Sequence, residues 1–278
     1  MKSNEKQTGG CTLPQLTYDT IPDFYIEKAI GKATMPQMHD HRAYELYYLC
    51  RGEREYFIGD QFYKISEGDL VLIPRNLLHR TAGKGATRFL LYFSESFLKR
   101  FFADEMISAL PLDRPLVFRP GKELRSLIES ELTAMLSEYS DGAMPLLVSR
   151  LCHLLFLIAK SPNGYSDTPF SDRRIGQIVR YINEHYSEIN DIEQIAERFF
   201  ISKYHLCRTF NKNLGLPLVS YLNTIKIRAA AELMHNEKLN LTEIATRSGF
   251  NSSSYFCKVF KAEKGVSPTV YRKNLQGK

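Results

Sequence analysis

The stretch IAERFFISKYHLCRTF at residues 195–210 returns about 50 positions later as IATRSGFNSSSYFCKVF at residues 244–260. The matched pairs at a separation of 50 are Phe200 and Phe250, Ser202 and Ser252, Leu206 and Phe256, Arg208 and Lys258, and Phe210 and Phe260. A glycine, a proline and a tyrosine follow each copy. Two copies indicate a tandem pair of modules, because a stacked repeat array needs three or more to bury its faces.

Each copy is predicted to form two helices joined by a tight turn. In the first copy Asp191 caps a helix with an apolar stripe, and Ser202 caps a second helix. In the second copy Gly249 supplies a turn at which a positive φ costs little. The second helices carry outward cations, which are Lys203, Arg208, Lys212, Lys258, Lys261 and Lys264. This arrangement is typical of a helix-turn-helix, which places the start of its second helix against base edges in the major groove.

The stretch between the copies predicts one continuous helix over residues 217–235. About 18 residues rising ~1.5 Å each make a rod of roughly 27 Å. With the width of the modules added, both reading helices could reach major-groove segments roughly 34 Å apart on one face of DNA.

Charge favours the same function. Residues 173–278 carry 17 lysines and arginines against 9 acidic residues, whereas residues 1–172 carry 20 against 22. The excess positive charge therefore lies in the repeat, where it attracts phosphate. The alternative is a basic helical domain that binds a protein.

The segment from Arg174 to Asn274 resembles the DNA-binding domain of AraC/XylS-type transcription regulators. The resemblance rests on the repeat, on residues 225–228 with Ala230, and on the closing residues 267–272. It implies that DNA contacts come from the outward positions Lys203, Tyr204, Cys207, Arg208, Lys212, Ser253, Ser254, Cys257, Lys258 and Lys261. Arg208 is the strongest candidate, because a guanidinium grips guanine bidentately. Tyr204 could instead be half-buried packing, and the serine pair predicts that copy two reads DNA through backbone and shape.

The N-terminal half predicts short antiparallel strands, with aromatic and aliphatic residues broken by turns over residues 44–73. A small β-barrel is expected. His39, His41 and Glu45 share parity, so on one extended strand they point to one face, and His79 follows a later strand and could close the set. These residues resemble the first cupin motif and part of the second.

By resemblance to AraC-type sensor domains, the barrel serves as a pocket for a small effector. Its aromatic residues and arginines favour a sugar or a small organic acid. The pocket residues are predicted to be His39, His41, Arg42, Glu45, Tyr47 and His79. Three histidines and a carboxylate could also bind a divalent transition metal. We expect no catalytic residue, no metal and no cofactor, with a metal site at His39, His41, Glu45 and His79 as the alternative.

Two helices are predicted after the barrel, over Lys122 to Tyr139 and Met144 to Lys160, each with an apolar stripe. Family resemblance makes this pair the homodimer surface, and a helical lid without a partner is the alternative. The turn-forming residues 161–172 are predicted to be a linker. The expected domains are therefore 1–160 (barrel about 20–120, helices about 121–160) and 173–278, with helix-turn-helix motifs at about 191–212 and 241–262.

The fold class is predicted to be α+β in two domains, a cupin-like barrel with a helical pair followed by an all-α domain. The five cysteines are scattered without a metal-binding spacing, which indicates a reducing compartment. No long hydrophobic span is evident in the sequence, so we expect a soluble cytoplasmic protein without a membrane partner.

The predicted function is that of an effector-controlled regulator of transcription, not an enzyme. Its partners are double-stranded DNA and RNA polymerase, and the sequence leaves activation or repression open. The alternatives are a metal-dependent cupin enzyme fused to a DNA-binding domain, and a constitutive DNA-binding protein with an empty barrel.

Overall fold

A computed structural model of the chain describes residues 21–31, 38–160 and 173–276. Its first part is rich in strands and its last part is entirely helical. The strands are β1 Phe24–Gly31, β2 Tyr44–Arg51, β3 Glu53–Ile58, β4 Gln61–Ser66, β5 Leu70–Ile73, β6 His79–Ala82, β7 Ala86–Phe93 and β8 Leu116–Phe118. The predicted linker at 161–172 and Cys11 lie outside the described residues, and the four described cysteines are free thiols.

The strands form two antiparallel sheets that face each other. The larger sheet has the order β1-β7-β2-β5-β8, and the smaller has the order β4-β3-β6. The core between them includes Tyr47, Tyr56, Ile65, Val71 and Leu90. The barrel expected from the sequence is therefore present as two packed sheets and is not closed into one.

Strand β2 does not alternate between apolar and polar residues as a strand with one solvent-exposed face does, because it is covered on both sides. Leu46 and Tyr48 point outward into a core shared with the helices that follow the barrel. Glu45 and Tyr47 point between the sheets. The covering helices are α1 Glu95–Phe101, α2 Asp104–Ser108, α3 Lys122–Ser140 and α4 Met144–Ala159. The helical pair predicted from the sequence is confirmed as α3 and α4, joined at Asp141 and Gly142.

The C-terminal part holds α5 Arg173–His185, α6 Ile192–Arg198, α7 Lys203–Leu214, α8 Leu218–Leu233, α9 Leu241–Arg247, α10 Ser253–Lys264 and α11 Pro268–Gln276. Helices α6 and α7 form module one, and α9 and α10 form module two. Asp191 and Asn240 begin the support helices with reciprocal capping boxes. Ser202 and Ser252 cap the second helices. The linking helix α8 joins the modules, as the sequence predicts.

The turn of module one occupies a different register from the one the repeat indicates. Phe200 has a φ of 53°, and the positive-φ position of module two is Gly249, with a φ of 81°. The next residues match as well, since Ile201 donates to Ala196 O and Phe250 donates to Ala245 O. The pairing of Phe200 with Phe250 is therefore wrong. The first helix and turn repeat at 49 residues and the second helix at 50, because module two has one extra residue before its cap.

None of the described helices is both long and apolar enough to span a membrane.

Candidate functional site

The second helix of module one presents most of its predicted DNA-contacting residues to solvent. Lys203, Tyr204, Arg208 and Lys212 are exposed, and Cys207 is half-buried. Tyr204 is 74% exposed, so it is not the half-buried packing residue of the alternative. Leu206, Phe210 and Leu214 hold the opposite face of the helix in the core. The helix therefore offers one polar, cationic face.

The second helix of module two is arranged in the same way with smaller side chains. Ser253, Ser254, Cys257, Lys258 and Lys261 are all exposed. Tyr255, one position on, is partly exposed, and its hydroxyl accepts a hydrogen bond of 3.0 Å from Asn223 of α8. The structure thus exposes serines and lysines where module one exposes Tyr204 and Arg208.

Three contacts hold the turn of module two to residues 187–190, the segment that leads into α6 of module one. The buried ammonium of Lys226, on α8, donates to Ile189 O at 2.7 Å and to Gly249 O at 2.6 Å. The Asn251 amide donates to Asn190 Oδ1 at 2.8 Å. A Cβ added at Gly249 would lie 2.6 Å from the Cα of Ser187, so the two backbones are in direct contact. Burial lowers the pKa of Lys226.

Lys226 is a functional residue that was not predicted from the sequence. Its spacing gives the signal, because a lysine four residues after Leu222 and four before Ala230 falls within the apolar stripe of the helix.

The N-terminal domain brings four predicted pocket residues together. One side-chain ligand atom from each of His39, His41, Glu45 and His79 lies within 4.8 Å of the others, and all four residues are buried. His39 and His41 precede β2 and do not continue its strand, which corrects the expectation of one extended strand. His39 instead forms an isolated antiparallel bridge to His79, with backbone hydrogen bonds of 3.0 and 2.9 Å. That bridge gathers the rings.

Hydrogen bonds to the backbone orient two of the rings. His41 Nδ1 donates to Ala43 O at 2.8 Å, and His79 Nδ1 donates to Leu77 O at 2.7 Å. Their Nε2 atoms lie 3.1 and 3.2 Å from the same oxygen of Glu45. Burial alone would raise the pKa of Glu45, but His79 and His41 lower that pKa well below its ordinary value. Burial works against protonation of His79, yet Glu45 raises the pKa of this ring.

The other two predicted pocket residues, Arg42 and Tyr47, are not part of this cluster. Arg42 is exposed and lines the cleft described next. Tyr47 is buried between the sheets, where its ring packs edge-on against Tyr56 at 5.2 Å. Tyr56 in turn donates to Glu45 Oε1 at 3.3 Å, so Tyr47 is linked to the cluster through Tyr56.

A cleft of about 590 Å³ lies between the barrel and the DNA-binding part. The barrel contributes residues 38–42 and Asn76, and α8 contributes Arg228 and Glu232. The Arg228 guanidinium crosses between the domains. Its Nε lies 3.3 Å from Asp40 Oδ2, and another of its nitrogens donates to Asn76 O.

Two more arginine contacts join the same domains, from Arg80 to Asn213 O and from Arg180 to Asp60 at 2.9 Å. Sequence reasoning did not find this interface, because nothing in the spacing relates residues so far apart.

Two helix-turn-helix modules with exposed cationic helices, joined to a sheet domain that opens onto a cleft, define a DNA-binding regulator with a ligand-binding domain. Residues 24–175 match the family model described as AraC-like ligand binding domain, and residues 195–274 match the model described as Helix-turn-helix domain. The first match alone covers more than half of the chain. The protein therefore belongs to the AraC family, and it is a DNA-binding transcription regulator under small-molecule control.

Relatives with similar sequences extend over most of the chain. The uncharacterised HTH-type transcriptional regulator YfiF of Bacillus subtilis is 28% identical over 84% of this chain and 78% of its own length. The HTH-type transcriptional activator RhaS of Salmonella arizonae is 26% identical over 89% of this chain and 91% of its own. Among solved structures, fatty-acid-bound ToxT of Vibrio cholerae is 16% identical over 90% of this chain and 94% of its own, with a TM-score of 0.36.

Proposed function

We propose that α7 and α10 enter successive major grooves on one face of the DNA. The observation that carries this proposal is the contact between the modules through Lys226, Gly249 and Asn251. These bonds fix both helices on one body, whereas a flexible pair would bind its two groove segments independently. The excess positive charge of this half adds a salt-dependent attraction to phosphate.

The two helices contribute unequally to sequence recognition. In α7 the base-reading residues are Lys203, Tyr204, Cys207 and Arg208, and Lys212 binds phosphate. In α10 the contacts come from Ser253, Ser254, Lys258 and Lys261. A guanidinium makes a bidentate contact to guanine, while short hydroxyls and flexible ammonium groups favour the backbone. Module one therefore provides most of the base preference.

The effector is a small polar organic molecule, a sugar or a small organic acid, and it binds to the cupin-like domain where His39, His41 and Arg42 line the cleft. Support comes from the size of the cleft, which is in the range of small-ligand sites. Its lining offers Arg42 to a carboxylate, and Asp40 and Glu232 to hydroxyl groups. A ligand there touches both domains, so it shifts the balance between their relative arrangements.

The protein acts as a homodimer that contacts RNA polymerase and performs no catalysis. The dimer surface is the outer face of α3 and α4, where Leu127, Met144 and Leu146 are exposed. Activation through polymerase is supported by the activator named among the relatives. The domain limits follow the sequence prediction, with residues 1–160 as the ligand-binding and dimerisation domain and 173–278 as the DNA-binding domain.

Selection of bound sequences from a random DNA pool by the full-length dimer tests this function. The expected motif has two blocks about one helical turn apart, with the block under α7 more strongly conserved among the selected sequences. A second selection contains a mixture of sugars and organic acids, and a change in recovered DNA identifies an effector. Recovery of random sequences in both arms by protein shown to be folded would contradict the proposal.

A further inference from the structure

The four residues at the barrel end of the cleft have the composition of a transition-metal site, and their ligand atoms lie within 4.8 Å of one another. Three imidazoles and one carboxylate suit zinc, iron, manganese, cobalt or nickel. Metal-to-ligand distances of about 2.1 Å place neighbouring ligand atoms about 3.0 to 3.4 Å apart. The Nε2 atoms of His41 and His79 lie 3.1 and 3.2 Å from Glu45 Oε2, within that range.

The hydrogen bonds of the two rings also fit a metal. A backbone carbonyl only accepts, so the Nδ1 atoms of His41 and His79 carry the hydrogens that bind Ala43 O and Leu77 O. Each Nε2 donates to the Glu45 carboxylate when it is protonated, and a bound metal ion takes the place of those protons. A cation at the centre would bind the Nε2 atoms and the carboxylate. Histidine ligands of metals usually donate their other ring N–H to a carbonyl or carboxylate, as His41 and His79 do here.

The cluster is connected to the DNA-binding domain through its own backbone. Asp40, between His39 and His41, pairs with Arg228 of α8. Asn76 donates its N–H to His41 O at 2.7 Å, and its carbonyl accepts from Arg228. Asn76 holds a φ of 57°, a conformation that the surrounding contacts must maintain. Whatever fixes the position of the histidines therefore also fixes Asp40 and Asn76, which contact Arg228.

We propose that His39, His41, Glu45 and His79 bind one divalent transition-metal ion, and that the bound ion and the Arg228 contact strengthen each other. This goes beyond the proposed function, since it concerns a second ligand and is measurable without DNA. His39 and His41 also line the cleft, so solvent ions reach the site from there.

Metal content and Co²⁺ binding of the untagged full-length protein test the site. Dialysis against Zn²⁺ should leave one ion per chain, and Co²⁺ should produce a visible absorption band that titrates to one equivalent. His41→Ala and Glu45→Gln should each lower Co²⁺ affinity at least about 100-fold, since loss of outer-shell partners alone costs about 10- to 100-fold. Exposed His153→Ala is the matched control and should bind as wild type does.

Coupling is tested with the same titration. Because coupling is reciprocal, Arg228→Ala should lower Co²⁺ affinity at least about fivefold, whereas Arg247→Ala, an exposed arginine of α9, should not. Glu45→Gln keeps the volume of the side chain, so it is informative even where His41→Ala fails to fold. No bound metal in wild type, or equal binding by Glu45→Gln, would overturn the site. Equal affinity in Arg228→Ala and wild type would overturn the coupling.

Discussion

The two helix-turn-helix modules share one fold, yet their turns and reading faces are used differently. The turn of module one has Phe200, which holds a positive φ and is 90% exposed. The equivalent Gly249 of module two is buried against Ser187 and its carbonyl accepts from Lys226. Module one also exposes Tyr204 and Arg208, whereas module two exposes serines at the start of α10. The comparison shows that the turn of module two is a buried contact point, and it supports the proposal that module one provides most of the base recognition.

Substitution of Gly249 should have the largest effect. Gly249→Ala places a methyl group 2.6 Å from a backbone atom and a side chain at a φ of 81°. Strain and overpacking together should lower the free energy of unfolding by about 3 to 5 kcal/mol, measured by urea denaturation.

The matched control is Gly265→Ala, which has a φ of 73° and no neighbour within 4 Å of the added Cβ. It should cost only about 1 kcal/mol, from the backbone conformation alone. Equal losses in the two variants would show that Gly249 is not a contact point between the modules.

Removal of the buried ammonium should have the next largest effect. Lys226→Met keeps the length of the side chain but leaves Ile189 O and Gly249 O without their donor. After allowance for the desolvation of the charge, the loss should be about 2 to 3 kcal/mol of unfolding free energy.

The control is Lys238→Met, at an exposed lysine, and should change stability by less than about 0.5 kcal/mol. A stable Lys226→Met protein with unchanged affinity for a two-block DNA site would contradict the role of this lysine in joining the modules.

The modules could be predicted from the sequence because apolar spacing, helix caps and glycine act locally. The turn of module one was misplaced because Phe200 and Phe250 look equivalent in sequence, whereas Gly249 shares the positive φ of Phe200. Parity on one extended strand does not explain why Glu45 and the histidines meet, because His39 and His41 precede β2 and the bridge between His39 and His79 is a tertiary contact. The contact of Arg228 with Asp40 depends on how two domains pack, and no local rule encodes that.

The reading faces should differ in DNA affinity. Arg208→Ala should weaken binding to the selected site by about 1 to 3 kcal/mol and relax preference at one base position. Lys258→Ala, at the equivalent position of α10, should cost less than about 1 kcal/mol, lower affinity for all sequences alike and reduce the salt dependence. Fluorescence anisotropy at several salt concentrations measures both. The assignment of base reading to module one would be lost if Lys258→Ala were the more selective variant.

The smallest effect should come from Phe200, where a glycine should be more stable than an alanine. Phe200→Gly relieves the positive φ of a side chain that has few contacts, so it should be more stable than Phe200→Ala by about 1 kcal/mol. The alanine variant is the control, because it removes the ring but keeps the Cβ. Thermal unfolding measures the difference, and a more stable alanine variant would mean that the turn is not strained.

The most direct test of the account is the affinity of the full-length protein for its selected site as the spacing between the two blocks is changed. Modules that are held together keep a fixed distance between their reading helices. An insertion of five base pairs, about half a helical turn, should therefore reduce affinity to that of a single block. One inserted base pair should already weaken binding, and Lys226→Met should tolerate it better than wild type does. Affinity independent of spacing would contradict the claim that Lys226, Gly249 and Asn251 hold two reading helices as one body.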